Sequence, residues 1–295
     1  RDTDRSRGLG DVYKRQCTLR AKSIDFRFVQ DTVEVLGLEG QAYPGYTLRM
    51  FSDSAARVLK EFVFTRPVTL SGGGMFPMGD DMKLMKGRIR FDASAGRVRY
   101  PLLGTTLDLG RTKGEVLISP QWVVVDKMMG TIWDGTFTGR ILAQIDDGDA
   151  LNGSFVLQDM NLTSIGKSYD KKMEKATVHG AIEFSSKGGN MNSIQAKGEA
   201  ALVHGDLVEI PLFGFLGEAL SNYIPGLGHL INYKISRADC DFSIEKGYVR
   251  TSNFAAQGSN MSLEGGGWIR LSDLQVNSDC LLYTSPSPRD RSVSR

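Results

Sequence analysis

The stretch Met261–Leu271, MSLEGGGWIRL, has the clearest pattern in this chain. Apolar residues or glycines stand at its odd-numbered positions, and Ser262, Glu264 and Arg270 are among the even-numbered ones. A period of two is typical of a β-strand with one buried face. Shorter stretches with the same alternation are 23–28, 88–91, 97–100 and 177–184. Because they alternate cleanly and no helices intervene, they predict an antiparallel sheet with one solvated face.

Only two segments have a helical pattern. Asp53–Phe62 has a possible N-cap in Ser52 or Asp53 and apolar residues at helical spacing. Pro211–Tyr223 (PLFGFLGEALSNY) has one apolar face and ends before Pro225. At roughly a dozen residues it is too short to cross a bilayer, which takes about 20. The sequence therefore predicts a mainly β fold with two short helices.

The two ends of the chain have a shared origin. Ser6–Gln16 (SRGLGDVYKRQ) and Cys280–Asp290 (CLLYTSPSPRD) can be encoded by opposite strands of one DNA word. That word resembles a transposon-end adapter used to prepare sequencing libraries. We therefore interpret residues 1–16 and 280–295 as adapter-derived tails and exclude them from fold reasoning. Residues 17–279 are then expected to be an internal piece of a longer protein; the alternative is a pair of genuine polar tails.

Excluding the tails changes the charge balance. They carry eight basic and four acidic residues, so 36 and 34 become 28 and 30, and the net charge moves from +2 to −2. The remaining chain has no lysine or arginine cluster in sequence that predicts phosphate binding, so we expect no nucleic-acid partner. Cys17 and Cys240 have no paired spacing and no histidine cluster nearby, which predicts neither a disulfide framework nor a zinc site.

No catalytic motif is recognisable. His179, His204 and His229 are isolated in sequence and are expected in surface or turn positions. The DDGD segment at 146–149 lacks the ligand spacing of a calcium loop. The glycine runs 72–74 and 265–267 lack the residues of a phosphate-binding loop and predict bulges or close strand approach. We therefore expect no enzyme activity, no catalytic residues, no metal and no cofactor.

The order of elements from Lys175 to Val276 resembles the C-terminal region of the AsmA-like family. The matching stretch is Ala196–Leu220, AKGEAALVHGDLVEIPLFGFLGEAL, in which a glycine-bearing strand and Gly205-Asp206-Leu207 precede an apolar helix opened by Ile210-Pro211-Leu212. The segment Asp241–Val249 (DFSIEKGYV) and the glycine-rich strand 265–271 follow in the same order. On this resemblance the native part divides into a β-rich AsmA-like region at 17–170 and an AsmA-like C-terminal region at 171–279.

The resemblance implies a bacterial envelope protein with an elongated, curved, mostly antiparallel sheet that forms a hydrophobic β-groove. It implies a periplasmic location, an inner-membrane anchor outside this piece, and a role in phospholipid transfer or outer-membrane assembly. The expected partners are phospholipid or membrane and other envelope proteins. A groove of apolar side chains could hold acyl chains without catalysis, at about 25 cal/mol per Å² buried.

One set of residues is a candidate for lipid or membrane contact, because the helix that carries it has Glu218 as its only charged residue. The set comprises Leu212, Phe213, Phe215, Leu216, Leu220, Tyr223 and Ile224. Its alternative role is to plug one end of the sheet. The alternative for the whole chain is a purely structural or adhesin-like β sandwich or solenoid. An inner sheet face that is open and apolar favours lipid binding, and one filled by its own side chains favours the structural role.

Overall fold

The structure is a computed structural model that describes residues 18–44, 62–78, 84–102, 105–144, 150–170, 175–187, 193–207, 235–258, 261–271 and 275–284. The chain forms two compact units. Unit 1 comprises Arg1–Ile132 and Gly139–Asp147, and unit 2 comprises Trp133–Thr138 and Gly148–Arg295. The described residues contain seventeen β-strands, and one α-helix lies wholly within them. The predicted mainly β fold is therefore confirmed.

Unit 1 contains nine complete strands. They are β1 (Thr18–Arg20), β2 (Ser23–Arg27), β3 (Thr32–Ala42), β4 (Val63–Phe64), β5 (Val68–Pro77), β6 (Lys86–Asp92), β7 (Arg97–Leu102), β8 (Thr105–Ile118) and β9 (Trp122–Ile132). The next strand, β10 (Gly135–Gln144), begins in unit 2 and ends in unit 1.

The strand pairs of unit 1 are antiparallel. β3 pairs with β1, β2 and β5, and β6 pairs with β5 and β8. Along one edge, β8 pairs with β6 over one half of its length and with β7 over the other half. Along its other edge, β8 pairs with β9. β4 pairs with β7.

Unit 2 contains the remaining strands in a simpler order. They are β11 (Leu151–Asn161), β12 (Thr177–Ser186), β13 (Gln195–Leu207), β14 (Ile235–Glu245), β15 (Tyr248–Gly258), β16 (Met261–Arg270) and β17 (Val276–Thr284), with helix α1 (Leu162–Ser168) between β11 and β12. Each strand from β11 to β16 pairs antiparallel with the next one in sequence. All five alternating segments of the sequence lie largely in strands: β2, β6, β7, β12 and β16.

Each unit has its own buried cluster. In unit 1, Val35, Phe76, Met85 and Ile118 are buried together, and Val33, Ile89 and Val116 are among the residues packed against them. In unit 2, Leu162 and Ala176 are buried with one residue from each of four neighbouring strands: Leu202, Ala238, Ala256 and Leu263. These four are direct register partners, so alternate residues of each strand point to the same side.

The sequence does not predict helix α1. Its seven residues include Gly166 and the β-branched Thr163 and Ile165, which are poor helix formers, so no periodic face is visible. The helix is held at its ends instead. The Asn161 side chain accepts hydrogen bonds from the backbone N–H groups of Thr163 (2.9 Å) and Ser164 (3.4 Å). The indole N–H of Trp133 donates to the Ser168 hydroxyl at 2.9 Å.

The two predicted helices cannot be compared with the structure. All of Asp53–Phe62 except Phe62 lies outside the described residues, and so does all of Pro211–Tyr223.

β17 crosses position 280, where the sequence predicts that an adapter-derived tail begins. Residues 280–284 continue β17 and pair with 265–261 of β16. Backbone pairing of this kind requires extended residues and not a particular side-chain sequence. The described side chains of this part of β17, those of Leu281 and Tyr283, are exposed.

The glycine runs are sites of close strand approach, as predicted. A Cβ added to Gly72, Gly73 or Gly74 would lie 2.1–2.4 Å from a carbonyl oxygen of a neighbouring strand. A Cβ on Gly267 would lie 2.4 Å from the carbonyl oxygen of Asn277. Both distances are far below contact, so only glycine fits these positions.

Candidate functional site

One face of the unit 2 sheet is apolar across several strands, and it is called the apolar face below. The register opposes Ile182 of β12 to Gly198 of β13, and Gly198 to Phe242 of β14. Because side chains alternate, Val178 and Phe184 lie on the same side as Ile182. The face continues with Ile244, Val249 and Ile269, which are register partners in β14, β15 and β16.

Aromatic rings connect the first strands of this face. The rings of Phe155 and Phe184 stack with centroids 6.1 Å apart and an interplanar angle of 2°. Phe137 meets Phe155 edge to face at 6.3 Å and is itself buried. Phe242 lies against Gly198, where a side chain would collide with its ring. The result is a continuous apolar lining from β10 to β14.

The apolar face is closed at one end and half-covered elsewhere. At the closed end, Leu162 and Ile165 of α1 pack with Leu202, Ala238, Ala256 and Leu263. Away from α1 the apolar side chains are only partly buried: Phe155, Ile182, Phe184, Phe242, Ile244, Val249 and Ile269. Their partial exposure means that apolar surface remains available to a ligand.

The opposite face of the same strands is polar. A depression of about 760 Å³ runs from β12 to β16, and residues of both faces line it, among them Ile182 and Phe242 of the apolar face. Its lining includes a row of register partners: Glu183, Lys197, Ser243, Arg250 and Trp268. Trp268 meets Tyr248 edge to face at 5.3 Å, and the Arg250 guanidinium lies 5.2 Å from the centre of the Tyr248 ring. Consecutive side chains of each strand thus alternate between the apolar face and the polar face.

The polar face also carries a bonded pair at an irregularity of β15. The Asn253 amide donates to the Asp241 carboxylate at 2.8 Å, and the backbone N–H of Asp241 donates to the Asn253 side-chain oxygen at 2.9 Å. The β14–β15 register shifts between these strands at this point. The pair therefore has a structural role in holding the bulge.

Cys240 lies on the apolar side of β14, opposite Ala200. Burial raises the pKa of its thiol, and the negative charges of Asp241 and Asp239 raise it further. A protonated thiol is a poor nucleophile, so Cys240 acts as a small apolar residue.

The candidate lipid-facing residues of the sequence (Leu212, Phe213, Phe215, Leu216, Leu220, Tyr223 and Ile224) lie outside the described residues. The sequence did not single out Phe137 or Phe155, which belong to no clean alternating segment. Their part in the site becomes evident only from the pairing of β11 with β12.

Of the three histidines, His179 has a described side chain. Its Nδ1 accepts a hydrogen bond from the backbone N–H of Asp159 at 3.3 Å, where the register of β11 shifts. His179 itself lies in β12 and is half-buried. The described ranges contain no group of three or more His, Cys, Asp or Glu side chains suited to a metal ion. Within the same ranges, no helix has the length and apolarity needed to cross a membrane.

Unit 1 brings together cations that are separated in sequence. Arg88 Nε and Arg90 Nε each lie 3.5 Å from Glu115 Oε1, and Lys127 Nζ lies 4.0 Å from Glu115 Oε2. The Glu115 side chain is 10% exposed, whereas all three cations are more than half exposed. The sequence pattern did not predict this cluster, because β6, β8 and β9 must be paired before it exists.

No family model, no curated protein and no solved structure matches this chain.

Proposed function

We propose that this chain is a non-enzymatic lipid-handling protein of the bacterial envelope, which holds acyl chains against the apolar face of unit 2. The observation that carries the proposal is the row of half-buried apolar side chains from Phe155 to Ile269, away from α1. An acyl chain seated on these residues would remove apolar surface of both partners from water, at about 25 cal/mol per Å².

The arrangement suits a chain-like apolar ligand. The aromatic and aliphatic side chains lie on successive strands, which are spaced about 4.8 Å apart, so they form a band across the sheet. The charged residues of these strands lie on the opposite face and do not interrupt the band. Contact of this kind needs no reacting group, which fits a carrier or scaffold better than a catalyst.

The envelope location, the inner-membrane anchor and the role in phospholipid transfer or outer-membrane assembly come from the AsmA-like resemblance. They are part of the proposal. The apolar face is consistent with them, since a periplasmic carrier must shield acyl chains from water.

Binding of a fluorescent phospholipid monomer tests the proposal. Phe242→Gln places a polar side chain on the apolar face. The matched control is Ser243→Gln, which introduces glutamine at the next position of β14, on the polar face. We expect Phe242→Gln to weaken binding at least tenfold and Ser243→Gln to leave it unchanged. Ile182→Gln provides a second apolar-face variant. Thermal unfolding of each protein identifies variants that are not folded.

A second candidate is a structural β protein that uses this face only as its own core. The cluster of α1 with Leu202, Ala238, Ala256 and Leu263 favours it, because there the sheet face is covered by the chain itself. If the wild-type chain binds no lipid probe while Phe242→Gln and Ile182→Gln both lose stability, the structural role is correct and the lipid proposal is wrong.

A further inference from the structure

Three connections of unit 1 meet at one end of its sheet. At this end of the sheet, Arg27 of β2 is opposite Thr32 of β3, and Thr32 is opposite Pro77 of β5. Met75 of β5 is opposite Lys86 of β6, and Ile118 of β8 is opposite Val123 of β9. Gly87 opposite Ile118 joins the last two pairs. The β2–β3, β5–β6 and β8–β9 connections therefore lie side by side, and the Met78 N–H donates to the Asp31 carbonyl at 2.8 Å.

Five of the thirteen exposed large apolar side chains in the described residues lie in or next to these connections, and the set is called the apolar rim. It comprises Phe28, Val29, Met78, Leu84 and Trp122. Val29 is 100% and Phe28 78% exposed, the highest values for large apolar residues in the described part of the chain. Single exposed apolar residues are ordinary, but five from three connections at one sheet end form a patch of the kind that marks an interaction site.

The rim is not needed for the core beneath it. Val35, Phe76, Met85 and Ile118 are already buried together at this end of the sheet. The rim residues therefore stand outside a completed core.

Charges of both signs lie close behind the rim. Lys86, the first residue of β6, follows Leu84 by two residues, which span at most about 7 Å, and Arg88 lies two residues further along β6. Asp31 supplies a negative charge within the β2–β3 turn, and Glu115 Oε1 lies 3.5 Å from Arg88 Nε. These two cations and two carboxylates balance, so the rim suits a surface that offers both phosphate and ammonium groups.

We infer that the apolar rim docks unit 1 on a bilayer with zwitterionic headgroups. Phe28, Val29 and Leu84 enter the acyl boundary, and Trp122 lies at the headgroup level that this residue prefers. Lys86, about 7 Å further back, reaches the phosphates, which matches the 5–10 Å that interfacial segments insert. This docking surface is distinct from the apolar face of unit 2 and does not depend on lipid binding there.

Co-sedimentation of the full chain with phosphatidylcholine vesicles tests the inference. The double variant Phe28→Ser/Val29→Ser is expected to weaken binding at least tenfold, because both side chains lose their apolar contact with lipid. Leu84→Asp is an independent second rim variant with the same expected direction. Val156→Ser, which changes an exposed apolar residue of unit 2, is the matched control and should bind as the wild type does.

Insertion of apolar side chains leads to two further expectations, one for the salt dependence of vesicle binding and one for a variant of unit 2. Raising the salt concentration from 50 to 300 mM should change binding less than threefold, since screening acts on exposed charges and not on burial. Phe242→Gln should leave vesicle docking intact, so failure of the docking and failure of the acyl-chain proposal are separable.

Several results would overturn the inference. These are a wild-type chain that does not sediment with vesicles, or rim variants that bind as well as the wild type. Binding that appears only with anionic lipid and disappears with salt would indicate a purely electrostatic surface instead. A dimer that is lost in the rim variants, without lipid binding, would show that the rim contacts a second copy of the chain.

Discussion

Phe242 lies directly over Gly198, its register partner across β13 and β14, and fills the space that a side chain at position 198 would need. A Cβ at this position would be 2.5 Å from the Phe242 Cζ and 2.4 Å from the carbonyl oxygen of Ala181. The two residues act as one unit of the apolar face, in which the absence of one side chain makes room for the other.

This relationship predicts that Gly198→Ala is destabilising. The new methyl group must displace both the ring and the backbone, and overpacking of this kind costs roughly 1–3 kcal/mol. Gly180→Ala is the matched control on β12, because its Cβ would approach no atom closer than 3.2 Å. Urea unfolding of both variants measures the difference. Equal losses would contradict the proposed role of the Phe242 ring.

Asn161 is predicted to stabilise α1 through its cap. Asn161→Ala removes the acceptor for the N–H groups of Thr163 and Ser164 and should cost about 1 kcal/mol. Asn161→Asp keeps an oxygen at the same place and should cost much less. The free energy of unfolding distinguishes them. If both variants lose the same amount of stability, the side-chain oxygen of Asn161 does not stabilise α1 by capping it.

Glu115 is predicted to contribute more to the stability of the protein than the similar residue Asp108. Glu115→Gln leaves Arg88, Arg90 and Lys127 close together without the carboxylate between them, and we expect a loss of about 1 kcal/mol. Asp108 has Arg97 at 3.3 Å and Arg99 at 3.9 Å, but it is 40% exposed and better screened. Asp108→Asn should therefore cost less than half as much. Chemical unfolding at low and high salt would test this, and the reverse order would refute it.

The Cys240 thiol predicts a pH effect with a definite sign. Its pKa is raised in the folded protein, first by burial and then by Asp241 and Asp239. The unfolded chain therefore loses this proton at lower pH than the folded chain, and folding stability falls as the pH rises above the ordinary thiol pKa of about 8.5. Cys240→Ser should reduce this fall. Below that pH the wild-type and variant curves should run parallel.

The tails predict a graded response to truncation. Deleting 285–295, which lies beyond β17, should leave stability within about 0.5 kcal/mol. Deleting 280–295 removes the partners of residues 261–265 in β16. Because Leu281 and Tyr283 are exposed, we expect a loss no larger than about 1–2 kcal/mol, the cost of a few net backbone hydrogen bonds. A loss of several kcal/mol would show that the tail packs as part of the core.

Alternation predicted many of the strands because each strand has one apolar and one polar side. Ile89 and Phe91 between Arg88 and Arg90 are sufficient to predict β6, and Met261–Leu271 is sufficient for β16. Helix α1 was missed because it is held by Asn161 and Trp133, contacts that leave no period in its seven residues. The cap residue Asn161 was the one local signal available.

The candidate sites were less predictable, since they depend on which strands become neighbours. Phe155 and Phe184 are far apart in sequence, and only the β11–β12 register stacks their rings. The apolar rim likewise requires Phe28, Leu84 and Trp122 to come from connections that meet at one sheet end. The charge cluster at Glu115 arises in the same way, from three strands. Sequence patterns describe faces of single strands, whereas these sites combine several of them.

The pairing order of unit 2 has a consequence for how it folds. From β11 to β17 every strand pairs with its neighbour in sequence, and the pairs β12–β13, β14–β15, β15–β16 and β16–β17 join residues close together along the chain. The β13–β14 pair is the exception, because residues 208–234 separate its two strands. Proteins with such local contacts have low contact order and fold faster than those with distant pairings. In unit 1, β3 pairs with β5 and β6 pairs with β8, so each of these pairs passes over the strand that lies between its members in sequence. Each strand from β11 to β16 can therefore pair once the next strand has emerged from the ribosome, whereas β3 and β6 of unit 1 must wait for the strand after the next.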